Sequence, residues 1–160
     1  INARAESAVE SWQFSWAMKK RRCLVVADSY YEWKKTGSTR VPFRIGLKSW
    51  EPFAFAGLWE RWRSPDDEIV RTCCVVTTAP NAVVEPVHDR MPVMLTKDAE
   101  GLWLDHTASM ADVRELLVPF SAPEMDAYEV SPHVNNWQNE DAACIQPVEG
   151  QSERQLSLGE

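Results

Sequence analysis

A chain of 160 residues, 44% hydrophobic and 26% charged, has the composition of an ordinary globular domain that can bury one sizeable core. No run of about eighteen apolar residues occurs, which excludes a membrane-spanning helix, and INARAES lacks the basic head and apolar stretch of a secretory signal; a cytoplasmic protein is expected, nucleoid-associated if bacterial. The net charge of −7 excludes a protein that coats DNA indiscriminately, but residues 1–97 sum to +4 and residues 98–160 to −11, so a local basic groove is compatible with the body of the chain.

Ser7-Ala-Val-Glu10 has capping-box spacing, and Val9, Trp12 and Trp16 recur at helical intervals before the basic run Lys19 to Arg22, predicting a helix with cations at its C-terminal end. Strand patterns follow in CLVVA, YYEWKK, VPFRIGL, PFAFAGLWERW and VRTCCVVTT, with a turn at Thr36-Gly-Ser-Thr. Thr78 is placed to cap a short helix from Ala79 to Glu85. After PVMLT, short helices are predicted over Lys97 to Leu104 and, introduced by Ser109, over Met110 to Leu117. AYEVS reads as a last strand, CIQPV closes the polar loops after it, and residues 149–160 read as a mobile tail. Strand clusters with helices around them predict a single α+β domain over residues 1–148 with a curved, mostly antiparallel sheet.

Four cysteines without regular spacing support neither a zinc knuckle nor a disulfide framework, so buried, reduced thiols are expected. His106 and His133 lack a second ligand at helical or hairpin spacing, and no metal or cofactor is expected.

Two polar residues interrupt apolar runs. In YYEWKK the alternation of a strand sends Tyr30, Glu32 and Lys34 to one face and Tyr31, Trp33 and Lys35 to the other. A carboxyl among aromatic rings has its charged form disfavoured and can hold a proton near neutral pH. In PVHDRMPVML, His88 stands at a junction between apolar segments, where Asp89 or a backbone carbonyl can fix its tautomer and Arg90 can hold an anion or pair with Asp89. Asn2, Arg4 and Glu6 alternate, so on an extended strand all three point one way. For each motif alone, a solvated face or a satisfied junction residue is the commoner explanation.

INARAES, RRCLVVADSYYEWKK, TTAPNAVVEPVHDRMPVML and VSPHVNNW followed by CIQPV, in this order, resemble the SOS response-associated peptidase (SRAP) family over residues 1 to about 148. The resemblance implies a barrel-like core with short flanking helices. It also implies shielding of abasic sites in single-stranded DNA by a covalent crosslink: an N-terminal cysteine, exposed when the protein removes its own initiator methionine, condenses with the sugar aldehyde to a thiazolidine. Carried onto this sequence, the resemblance makes Asn2, Glu32 and His88 catalytic. Arg4 and Arg90 face the DNA backbone, while Trp33 would stack on a base and Thr77 hydrogen-bond to DNA. The expected partner is single-stranded DNA with abasic sites, with no membrane; no protein partner is indicated, and a monomer is expected.

The family opens with Met-Cys-Gly-Arg and a further stretch before its NARAE motif, whereas this chain starts at that motif with Ile1. Truncation is the expected explanation, a fragmentary gene product the alternative, and no stable crosslink is expected from these residues alone. Two rivals are weighed: a peptidase acting beyond its own methionine, for which no Ser or Cys nucleophile with a recognisable base is found, and a single-stranded DNA-binding domain that has lost the chemistry.

Overall fold

A computed structural model describes residues 2–148 of the chain; the expected tail at 149–160 lies outside the described residues. In chain order the elements are β1 (Asn2–Arg4), α1 (Ala5–Ala8), α2 (Ser15–Lys20), β2 (Arg22–Ala27), β3 (Tyr30–Thr36), β4 (Thr39–Leu47), β5 (Phe53–Arg63), β6 (Ile69–Thr78), β7 (Met91–Pro92), β8 (Met94–Leu95), α3 (Lys97–Leu104), α4 (Met110–Glu115) and β9 (Met125–Glu129). The fold is α+β and mostly antiparallel, as the strand clusters required, and the strands sort into two sheets, each within one of two compact units. No helix among the described residues is long and apolar enough to cross a membrane.

The first unit comprises Ile1–Ala27, Pro52–Asn81 and Arg90–Phe120. Its sheet runs β1-β6-β5-β2, with β7 on β6 and β8 on β5; β1 joins β6 in parallel, Asn2 opposite Val75 and Arg4 opposite Thr77. Ala56, Leu58 and Val76 are buried with Met18, Trp103 and Val113 of the helices in one apolar cluster. Arg22 is 3% exposed and donates to the carbonyls of Met18 in α2 (2.5 Å), Trp103 in α3 (2.5 Å) and Asp105 just beyond it, so one guanidinium closes the C-terminal ends of two helices. Gly57 sits opposite Cys23. A Cβ there would lie 2.8 Å from Val25 Cγ2 and 2.9 Å from Cys23 Sγ, so Gly57→Ala is expected to lower stability by about 1–3 kcal/mol in a denaturant titration; a neutral or stabilising result would mean the β2–β5 packing is looser than this.

The second unit comprises Asp28–Glu51, Ala82–Asp89 and Ser121–Glu160. Its sheet runs β3-β4-β9. The β3–β4 hairpin closes through Gly37 at φ 61 with Thr36 opposite Thr39, a two-residue turn in which glycine supplies the left-handed conformation. Arg44, 9% exposed, donates to Ser29 Oγ (2.9 Å) and Tyr128 Oη (2.8 Å) and lies over the Trp50 ring.

Four expectations are corrected. Ser7 caps nothing: it lies inside α1, its carbonyl accepting from Glu10 and Ser11 N–H, and the single predicted helix is two short ones. The core takes Phe14, Ala17 and Met18, while Trp12 is 92% exposed; the tryptophan spacing marked a solvent face. Thr78 ends β6 opposite Met91 and donates to the Leu117 carbonyl, and instead of a helix from Ala79 to Glu85 the chain is irregular over residues 79–81 and forms turns over residues 82–87, because Pro86 removes a donor and disfavours helical backbone at Glu85. Of the cysteines, all free, Cys144 is buried but Cys73 is exposed, since it belongs to the part of β6 that extends past the core.

Candidate functional site

Glu32 sits mid-strand in β3, opposite Phe43 of β4. Alternation puts Tyr30 on its face, near enough for the Glu32 charge to act on the Tyr30 phenol. Tyr31 and Trp33 take the other face: Tyr31 Oη donates to the Cys144 carbonyl (3.1 Å) and Trp33 Nε1 to Asn135 Oδ1 (2.7 Å). Trp33, the candidate base-stacking residue, is thus held by the loop that follows β9.

His88 comes from the turns after Ala82, where its N–H and that of Val87 both donate to the carbonyl of buried Val84. That anchor brings its Nε2 within 3.9 Å of Glu32 Oε2, and its Nδ1 lies 3.3 Å from Asp89 Oδ1. The histidine therefore stands between two carboxylates, one 24% exposed and one 91% exposed. At 3.9 Å Glu32 and His88 interact electrostatically without sharing a hydrogen bond. Burial pushes the Glu32 carboxyl above the ordinary range; His88 and the Trp33 backbone N–H pull it back, and Asp89 adds to the rise. Burial also raises the Tyr30 phenol strongly, with the nearby Glu32 charge adding to it, so Tyr30 stays a neutral hydroxyl. The arrangement can hold and pass a proton: a carboxyl with raised affinity beside an imidazole is the usual makeup of an acid–base pair.

The remaining sequence candidates lie in the first unit. Asn2 and Arg4 are exposed on β1 and share a face, with buried Ala3 between them. Glu6 leaves that alternation because Ala5 begins α1. Its carboxylate accepts two bonds from Arg90, at 2.6 and 2.9 Å. Arg90 Nη2 also donates to the Thr77 carbonyl (2.6 Å) and Oγ1 (3.3 Å), and Thr77 is 7% exposed. Arg90, Thr77 and Glu6 thus form one cluster that fixes the segment immediately after His88 and Asp89, and Arg90 pairs with Glu6 instead of Asp89. The Arg90 hydrogen bond holds the Glu6 carboxyl below its usual value, so its stabilisation is present above the ordinary carboxylate range and is lost as the pH falls through the lowered value. Glu6→Gln should remove that acid-side loss, by less than about 1 kcal/mol because Glu6 is exposed, as read from melting temperatures on either side of the ordinary range; an unchanged pH profile would contradict the pairing.

Sequence reasoning gave Glu6 no role, and it missed Phe43 although the turn at Gly37 fixes the register that places it opposite Glu32. It also missed that His133, Asp141 and Cys144 lie together, with ligand atoms within 4.8 Å of one another. His133 Nε2 is 2.9 Å from Asp141 Oδ2, and its Nδ1 faces the Asn139 amide nitrogen at 3.0 Å, which also donates to the His133 carbonyl (2.7 Å). A ring nitrogen facing an amide donor is the acceptor, so Nε2 carries the proton that Asp141 receives. Cys144 Sγ donates to the Asn139 carbonyl (3.5 Å) and its N–H to the Asp141 carbonyl (3.1 Å), so His133, Asp141, Cys144 and Asn139 together close a hydrogen-bonded loop in which both imidazole nitrogens are occupied.

The sequence profile of the SOS response associated peptidase (SRAP) family matches residues 1–137. Among curated relatives, "Abasic site processing protein YoqW" of Bacillus subtilis is 44% identical over 148 residues, 91% of this chain and 66% of the relative. "Abasic site processing protein YedK" of Escherichia coli is 31% identical over 150 residues, 92% of this chain and 67% of the relative. A crystal structure of a protein from Bacteroides thetaiotaomicron superposes with a TM-score of 0.87 at 31% identity, covering 92% of this chain and 65% of that one. The chain spans about two thirds of the length of these proteins.

Proposed function

Because the chain belongs to the SOS response associated peptidase family, we propose that it is part of a protein that processes abasic sites in DNA, with Glu32 and His88 as its proton-transfer pair. The observation that carries this reading is the half-buried Glu32 carboxyl, its proton affinity raised by burial, 3.9 Å from a histidine flanked on its other side by Asp89. The names of the relatives, abasic site processing proteins, support the substrate.

The chemistry proposed is the one implied by the family resemblance, on single-stranded DNA. The amine of an N-terminal cysteine, a residue outside these 160, adds to the open-chain sugar aldehyde; loss of water gives an imine, and the thiol adds across it to close a thiazolidine. Removal of the initiator methionine belongs to the same proposal, since it frees that amine. Glu32, protonated, supplies the proton that lets hydroxide leave as water, and it takes up the proton the amine sheds. His88 assists opening of the sugar ring, with Asp89 orienting its imidazole. Asn2 keeps the implied role of hydrogen bonding to the adduct, and Arg4 that of facing the DNA backbone. Thr77 and Arg90, occupied with each other and with Glu6, would hold the strand end in place, and Trp33 would offer a ring to a base.

The test incubates the complete protein with single-stranded oligonucleotides, one carrying an abasic site and one intact, and resolves them on a denaturing gel after heating. A shifted band with the abasic oligonucleotide alone is expected. Equal affinity for both oligonucleotides and no heat-stable band would overturn the reading in favour of a binding domain without chemistry.

A further inference from the structure

The β5–β6 ribbon continues past the core of the first unit as an exposed hairpin from Glu60 to Thr72, the exception being half-buried Ser64. Its register sets Arg61 opposite Arg71 and Arg63 opposite Ile69. Directly opposed residues share a face, and residues two apart on a strand do as well; Arg61, Arg63 and Arg71 therefore project from one side of the ribbon, with Trp62 and Val70 on the other. Among the described residues no carboxylate pairs with Arg61 or Arg71, while Arg63 is held at 2.5 Å by Asp67, itself 78% exposed. Arg61, Trp62, Arg63 and Ile69 also line a depression of about 160 Å³.

Like charges directly across a strand pair are destabilising, and a hairpin gains nothing from them on its own. An anionic ligand reverses the sign. Arginine Cβ atoms rooted about 5 Å apart across the ribbon and about 7 Å apart along it suit a chain of phosphates better than a single carboxylate, because each guanidinium can fork two hydrogen bonds onto its own phosphate. The acids Asp66, Asp67 and Glu68 are confined to the turn at the tip, while Glu60 at the base lies on the opposite face, paired with Arg21 and accepting the Arg61 backbone N–H (2.7 Å); the arginine pair lies on the strands between them. We propose that this face of the β5–β6 hairpin binds the phosphodiester backbone of DNA, independently of base sequence. The inference rests on the DNA reading above and adds a contact surface to it.

The experiment measures binding of the complete protein to an intact single-stranded oligonucleotide of mixed sequence between about 50 and 200 mM salt, for the wild type, Arg61→Gln/Arg71→Gln, Arg71→Gln alone and Arg61→Lys/Arg71→Lys. The double Gln variant should bind about tenfold more weakly and lower the slope of log K against log salt by about 1.4, two contacts at about 0.7 each. The single variant should lose half of that slope change, the Lys pair should keep the wild-type slope, and the melting temperature should hold or rise as the repulsion is relieved. An unchanged slope in the double Gln variant overturns the hairpin inference, whatever the protein does to abasic sites. A wild type that binds no DNA overturns it together with the DNA reading, and a wild type that binds with the expected slopes but forms no adduct overturns only the processing chemistry.

Discussion

Replacing Glu32 by Gln is expected to slow adduct formation on abasic-site DNA by about 10²–10⁴-fold, the usual worth of a positioned acid or base, while raising the melting temperature at neutral pH. The two effects share a cause. In the unfolded chain this carboxyl titrates at its ordinary value, and in the folded chain burial raises it. The folded state therefore holds the proton more tightly, so the stability Glu32 contributes is complete below the ordinary value and is lost as the pH rises through the raised one. Gln has no charge to strand in the sheet and escapes that loss. Melting curves below the ordinary carboxylate range and near neutrality check the sign: the advantage of the variant should be larger near neutrality. A variant that is less stable at both pH values, or as fast as the wild type, would remove Glu32 from its proposed role.

Arg22→Ala should be among the most damaging single substitutions, costing about 3–5 kcal/mol in denaturant unfolding. Its guanidinium answers three carbonyls at the ends of α2 and α3, those of Met18 and Trp103 in buried bonds and that of Asp105 in a part-buried one, and each buried carbonyl left without a donor costs about 1–3 kcal/mol, in addition to the space vacated. Burial makes the charged form of Arg22 harder to hold, and the Asp105 charge partly compensates. Arg22→Lys keeps the charge but replaces a rigid fork with a single ammonium, so it should recover only part of the loss. Full recovery by Lys would mean that charge at the helix ends matters more than the three-way hydrogen bonding.

Most strands and the helices α3 and α4 were legible because their apolar alternation, caps and turn residues agree. Thr96 and Ser109 accept from Ala99 and Asp112 N–H as N-caps should. The failures fall where one signal was read alone. Trp12 and Trp16 gave a helical interval, but burial is decided by which side chains reach the sheet, and Phe14, Ala17 and Met18 do. Thr78 has a capping side chain, yet ladder pairing with Met91 and the Pro86 ring outweigh it. At the candidate site, Glu32 and His88 were legible one by one, as polar residues interrupting apolar runs, and the alternation of β3 correctly sent Tyr31 and Trp33 away from Glu32. Their 3.9 Å approach was not legible, because His88 lies 56 positions from Glu32 by chain order and is brought to it by a turn anchored through the Val84 carbonyl. The Arg90 cluster escaped for a similar reason: its nearest carboxylate in sequence is Asp89, but its partner is Glu6, 84 positions away.

The proposed role of Glu32, with its proton affinity raised by burial and His88 beside it, as the group that transfers the protons of abasic-site processing can be read from the pH dependence of single-turnover adduct formation by the complete protein, wild type and Glu32→Gln. The wild-type rate should fall as the pH rises through an apparent pKa above the ordinary Glu range, belonging to the Glu32–His88 pair as a unit, and that limb should be lost in the variant. Superimposable profiles for the two proteins would contradict it.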